Sequence, residues 1–138
     1  MLRTQGIAYP AIFVKNMQES LMFYRRLGCQ PLYMEPNRDD PDSVIAMLST
    51  GDSHTLIQLV GPREGSDFEM PPHEYGAGSL QYLAFHVPRS LMDEAWVEMA
   101  SAGVKGSDVI ERGYERLVFI EDPNGALVLL IACVVSHA

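Results

Sequence analysis

Cysteine is scarce in this sequence. Its 138 residues contain two, Cys29 and Cys133, with no pair at metal-type spacing. A disulfide framework or a zinc-finger-like site is therefore not written here. Both cysteines stand beside apolar stretches, so the expectation is two reduced, partly buried thiols in a cytoplasmic protein. Positive charge is also short: 10 Lys+Arg face 18 Asp+Glu, for a formal net charge of −8. An acidic surface is repelled by phosphate backbones, which argues against a nucleic-acid partner. Long apolar runs are missing. The run Leu127 to Val135 falls well below the roughly 20 residues that a membrane helix needs. The opening Met-Leu-Arg-Thr-Gln-Gly shows no charged-then-apolar signal pattern. No long polar tract points to disorder. What remains is a chain 47% hydrophobic and 20% charged, ordinary for one globular domain with a real core.

Periodicity divides that chain into elements. Ile7 to Val14 is nearly all apolar and predicts a strand buried on both faces, with Pro10 leaving one side unpaired. Asn16 can cap a following helix, with Glu19 three residues on, and Met17, Leu21, Tyr24 and Leu27 recur at helical spacing. Gly28 can end it in the left-handed conformation. Three extended pieces follow: Gln30 to Glu35, Val44 to Ser49, and His54 to Val60, separated by the polar loop Pro36 to Ser43 and a turn at Thr50-Gly51-Asp52-Ser53. Residues 61–78, rich in Pro and Gly and without periodicity, predict a linker or lid, to which Phe68, Met70, Pro71, Pro72, His73 and Tyr75 give an apolar character.

The same order then recurs. Leu80 to Val87 predicts a strand. Ser90 and Asp93 sit where they can cap a helix whose apolar stripe is Leu91, Ala95, Met99 and Ala102, with Gly103 at its end. Trp96 falls at the edge of that stripe. Val104 to Ile110 is extended, Arg116 to Glu121 is a strand, Asp122-Pro123-Asn124-Gly125 is a turn, and Ala126 to Val135 is the last strand. Tyr9-x-Ala11-x-x-Val14 repeats as Tyr82-x-Ala84-x-x-Val87. The expectation is an α+β fold in one domain, residues 1–138. It holds two tandem βαβββ modules, 6–60 and 79–135, around the 61–78 linker.

Two segments carry a family resemblance. Val14-Lys15-Asn16 through Phe23-Tyr24-Arg25-Arg26-Leu27-Gly28 resembles the strand-to-helix segment of the vicinal oxygen chelate superfamily. That superfamily includes glyoxalase I, bleomycin-resistance proteins, fosfomycin-resistance enzymes and extradiol dioxygenases. Phe119-Ile120-Glu121-Asp122-Pro123-Asn124-Gly125 resembles its Asp-Pro-x-Gly turn before the last strand. The resemblance covers roughly residues 6–60 and 79–132. It implies that the paired modules curl their sheets into an open cup that holds a small molecule, and that homodimers are common.

It also implies metal-ligand positions, on the first and last strand of each module, usually His or Gln and then Glu. Here Tyr9, Gln58, Tyr82 and Leu129 stand at them. Leu129 has no donor atom, and a phenol with its usual pKa near about 10 is a poor ligand at pH 7. No metal site and no cofactor are therefore expected. His54 and His86 alternate onto the same strand faces as Gln58 and Tyr82, about 13 Å along the strand from the ligand positions. His73 and His137 are expected in solvent.

Without a metal, the inward positions read as an aromatic and apolar surface with polar tips, suited to a flat organic ligand. Candidate binding residues are Tyr9, Phe13, Met47, His54, Gln58, Tyr82, His86 and Leu129, with Ala11, Ala84, Leu127 and Ile131 beside them. The function expected is a small-molecule-binding protein of the glyoxalase/bleomycin-resistance type. The alternative is a lyase, isomerase or dioxygenase-type enzyme, metal-dependent or using Tyr9, Tyr82 or His86 for proton transfer. A third reading is an interaction module that uses the fold only as scaffold.

Overall fold

The computed structural model describes residues 1–52, 54–71 and 74–133, with the backbone alone for Cys133. Pro72, His73, His137 and the expected continuation of the last strand to Val135 lie outside the described residues. The chain divides into two compact units, Met1–Pro72 and His73–Ala138.

The first unit runs β1 (Ala11–Phe13), α1 (Met17–Arg26), β2 (Gln30–Pro36), β3 (Ser43–Ser49) and β4 (Leu56–Pro62). Its open four-stranded sheet has the order β1-β4-β3-β2, with β1 parallel to β4 and the other pairs antiparallel. The second unit runs β5 (Tyr82–His86), α2 (Met92–Ser101), β6 (Ile110–Arg112), β7 (Glu115–Glu121) and β8 (Leu127–Cys133). Its sheet has the corresponding order β5-β8-β7-β6. The duplication extends to single bonds. Val14 N donates to Val60 O, and Val87 N to Ile131 O, both at 2.8 Å. Two βαβββ modules are thus built on one plan.

The elements follow from local chemistry, with several corrections. α1 starts where expected: the Asn16 side chain accepts from Glu19 N at 3.0 Å, and Gly28 leaves the helix at a φ of +88°. Its buried face is Met17, Ser20, Phe23 and Tyr24, while Leu21 and Leu27 are only half-buried. The Phe23 and Tyr24 rings meet edge to face at 5.0 Å. β1 is shorter than Ile7 to Val14 and is not buried on both faces: Ala11 and Phe13 are exposed. Pro10 has no N–H with which to extend the ladder, and β1 is an edge strand. Gly61 and Pro62 belong to β4 rather than to the linker.

α2 departs further. Ser90 does not cap it: the N-cap is Leu91, without a side-chain cap bond, after a short 3-10 turn at Arg89–Leu91. Leu91 falls in that turn and is exposed, as is Ala102, while Met99 is buried and Ala95 half-buried as expected, and Met92 joins the buried face. Asp93 instead pairs with Arg116 at 3.6 Å. Trp96 is half-buried and its Nε1 donates to Ser107 O at 2.9 Å. Val104 to Ile110 forms only the isolated bridge Gly106–Ile120 before β6 begins. The turn before β8 is built on buried Asp122. Its Oδ1 accepts from Asn124 N (2.8 Å) and Ala126 N (2.9 Å), and Gly125 sits at a φ of +86°.

Candidate functional site

Each sheet has one face against its helix and one turned away. In the first unit, Gly61 marks the helix side: a methyl group there would meet Val14 Cγ2 at 2.8 Å and Met17 Cε at 3.6 Å. Strand alternation groups Ile57 and Leu59 with Gly61 and sends Leu56, Gln58 and Val60 to the other face. Across the ladders, Ala11, Gln58, Met47 and Tyr33 form one row on that face, and Phe13, Val60, Ile45 and Glu35 form the next. With strands about 4.8 Å apart, each row spans about 14 Å.

This surface carries aromatic, apolar and polar groups together. Phe13 is 67% exposed and Met47, at 4%, forms its floor. Gln58 is half-buried, and among the described residues its carboxamide has no hydrogen-bond partner. A half-buried amide without partners is a group ready to donate to and accept from a ligand. Tyr9 lies just before β1, 41% exposed. Gln58 N donates to Pro10 O at 2.9 Å, which keeps that stretch beside β4.

In the second unit, the Arg116–Asp93 pair marks the α2 side. Glu115, Leu117, Phe119 and Glu121 therefore face away from the helix. Tyr82, Leu127 and Glu121 form one row, Ala84, Leu129 and Phe119 the next, and His86, Ile131, Leu117 and Ile110 a third. Tyr82 is 40% exposed, His86 is exposed, and Leu129 is 2% exposed. Comparing the two rows, Ala11–Gln58 in the first unit corresponds to Ala84–Leu129 in the second. One module presents a carboxamide where the other presents an isobutyl group.

Most of the expected residues thus fall on these two helix-free faces. His54 does not. β4 begins at Leu56, and His54 sits in the preceding turn, where its backbone N donates to Asp52 Oδ1 at 2.9 Å. Asp52 also takes the Thr55 N–H (2.9 Å) and both threonine hydroxyls, so the chain turns before the strand can start. Those bonds, the Thr55 and His54 N–H first, hold the Asp52 carboxyl well below the usual carboxylate range. Tyr33 and Phe119 belong to the rows and were not anticipated from sequence. The period-2 pattern of β2 offers Tyr33 as a candidate, but a register shift between Pro31 and Tyr33 fixes its row.

Comparisons with known proteins agree with this architecture. The model of the Glyoxalase/Bleomycin resistance protein/Dioxygenase superfamily matches residues 6–130, and the chain belongs to that superfamily. It is 29% identical over 102 residues to MhqA of Bacillus subtilis (strain 168), named as a putative ring-cleaving dioxygenase. That match covers 73% of this chain, which spans only about a third (31%) of that relative's length. A glyoxylase/bleomycin resistance protein/dioxygenase domain from Frankia sp. EAN1pec superposes with a TM-score of 0.79 at 15% identity, covering 98% of this chain and 96% of the other. The fosfomycin resistance protein FosX from Listeria monocytogenes gives 0.74 at 15% identity, covering 95% of each. One crystal structure of FosX contains Mn(II) and a sulfate ion.

The donor set of this chain does not fit such an ion. The positions that the resemblance assigns to ligands carry two neutral phenols, one carboxamide and one alkyl side chain, with no imidazole or carboxylate among them. Among the described residues, no group of three or more His, Cys, Asp or Glu gathers to hold a metal. No helix among the described residues is long and apolar enough to cross a membrane.

Proposed function

We propose that this chain binds a small organic molecule with a flat aromatic or apolar body, on the helix-free faces of its sheets, without a metal. The observation that carries this reading is Gln58. A half-buried carboxamide with no hydrogen-bond partner among the described residues stands between Ala11 and Met47, at a position where the family resemblance implies a carboxylate ligand. Tyr33 and Phe13 supply aromatic surface on the same face, and Ala11 contributes only a methyl group. A cytoplasmic setting belongs to the same reading and rests on the low cysteine content of the sequence. A homodimer belongs to the same reading and rests on the family resemblance alone.

Two measurements test it together. Elemental analysis of protein purified without chelator is expected to find no stoichiometric transition metal. A thermal-shift panel of planar aromatic compounds is expected to include stabilising ligands, with the shift growing with ligand concentration. A stoichiometric metal, or a flat panel, overturns the reading.

The similarity to MhqA favours a second reading, an enzyme acting on an aromatic substrate at the same surface. Tyr82 and His86 lie on one face of β5, both open to solvent, and are its candidates for proton transfer. Turnover of an aromatic substrate that is abolished by Tyr82→Phe supports it. Turnover unchanged in that variant removes the role of Tyr82.

A further inference from the structure

We infer that the helix-free face of the first unit selects a ligand carrying a positive charge, and that Glu35 is the specificity-determining residue. This rests on the proposed binding function and narrows it to a class of ligand. The four strands of the first unit contain no Lys or Arg, and Glu35 is their one acidic residue. Register places Glu35 beside Ile45 on the helix-free face, at the end of the row that begins with Phe13. It is exposed, and among the described residues it makes no ion pair. Tyr33, two residues earlier on the same strand, lies on the same face.

The physical consequence is asymmetric. A protonated amine on an aromatic ligand meets a carboxylate at one end of the row, with the Tyr33 ring two residues away on the same strand also attracting cations, while Phe13 at the far end offers aromatic surface to the ligand's body. A carboxylate, phosphate or phosphonate meets Glu35 and finds no Lys or Arg on those four strands. The second unit does not reverse this preference. Arg112 is the one Lys or Arg of its strands on the helix-free face, where His86 also lies, and its register partner is Glu115, while Glu121 has Leu127 as its partner in the ladder. The chain's net charge of −8 adds to the same preference at long range.

The test compares two flat dyes by fluorescence anisotropy: 9-aminoacridine, a cation at pH 7, and acridine-9-carboxylate, an anion. The full chain is expected to bind the cation saturably, at least about tenfold tighter than the anion, in line with the strength of a charge-assisted hydrogen bond. Glu35→Gln is expected to weaken the cation about tenfold without weakening the anion, whose repulsion by the carboxylate is relieved, and Glu35→Lys to reverse the preference. Glu35 is exposed, so neither change threatens the fold, and unchanged thermal melting checks this. If both dyes bind alike and both are lost in Ala11→Leu, the binding surface stands and charge selection by Glu35 is overturned. If neither dye binds, the proposed function fails for flat aromatic ligands and this inference falls with it.

Discussion

Ala11 lies directly beside Gln58 across the parallel pairing of β1 with β4, so the carboxamide, which has no hydrogen-bond partner among the described residues, has only a methyl group on that side. The space beside Gln58 is set by the smallest side chain in its row. Ala11→Leu adds three carbon atoms at an exposed position, where no packed neighbour resists them. The expected outcome is loss of ligand-induced stabilisation with the ligand-free melting temperature nearly unchanged. A retained thermal shift in this variant would place the ligand elsewhere.

The turn before β8 is held by one carboxylate. Asp122 is buried, and its Oδ1 accepts the N–H groups of Asn124 and Ala126. Asp122→Ala strips both donors of their acceptor in a buried setting. The expected cost is about 3 kcal/mol, near the upper range for leaving such groups unmade. Equilibrium urea unfolding measures it. Asp122→Asn keeps one acceptor oxygen and is expected to lose less.

Gly61 reports on the other face of the first sheet. A Cβ there would come within 2.8 Å of Val14 Cγ2 and 3.2 Å of Val14 O, and the backbone oxygen cannot move as a side chain does. Gly61→Ala is expected to destabilise by about 1–3 kcal/mol through overpacking. Gly51, with open space around it, serves as the comparison: Gly51→Ala in the same melting assay is expected to stay within about 1 kcal/mol.

The order of elements was legible because binary pattern and turn residues agree along the chain. Asn16, Gly28, Gly103 and the Asp122–Gly125 turn each stand where the local chemistry demands them. The repeat of Tyr9 and Ala11 as Tyr82 and Ala84 located the two modules. What was not legible depends on partners distant in sequence. Ser90 is a good capping residue, yet the 3-10 turn after Pro88 moves the N-cap on to Leu91 and the helix start to Met92. His54 continues the alternation of β4, but Asp52 collects its N–H and ends that register in a turn. Tyr33 joins the Gln58 row only because a register shift precedes it in β2. The number of residues opposite a given residue is a property of the pairing, so no single strand's sequence states it.

The same Asp52 turn has a pH signature. Its carboxyl is held below its ordinary value of 3.8 by the Thr55 and His54 N–H groups and the threonine hydroxyls. A depressed folded-state pKa stabilises the fold at pH values above the ordinary one, and that contribution is lost as pH falls below it. A carboxyl titration followed by NMR is expected to show Asp52 still ionised where exposed carboxylates have half titrated. Asp52→Asn is expected to speed hydrogen exchange at the Thr55 amide at neutral pH. A normal titration midpoint for Asp52 contradicts the bonding seen in the turn.

Cys29 behaves in the opposite sense. Its side chain is buried after α1, and burial pushes the thiol from its ordinary 9.0 up to about 11. The neutral thiol is the form that the folded chain tolerates. Its stabilising contribution is therefore fully present below pH 9.0 and is lost as pH rises towards about 11. The thiolate is the reactive species, so native Cys29 is expected to react with a disulfide reagent far more slowly than a free cysteine at pH 8. The measurement uses Cys133→Ser, which leaves Cys29 as the one thiol in the sequence. Reaction is expected to be slow in buffer and fast in denaturing urea, with the native rate still climbing steeply above about pH 10, where an ordinary thiol is almost fully ionised and has nearly levelled off. Rapid native labelling at pH 8 would contradict the burial of Cys29 behind α1 and, with it, the packing of that helix on the first sheet.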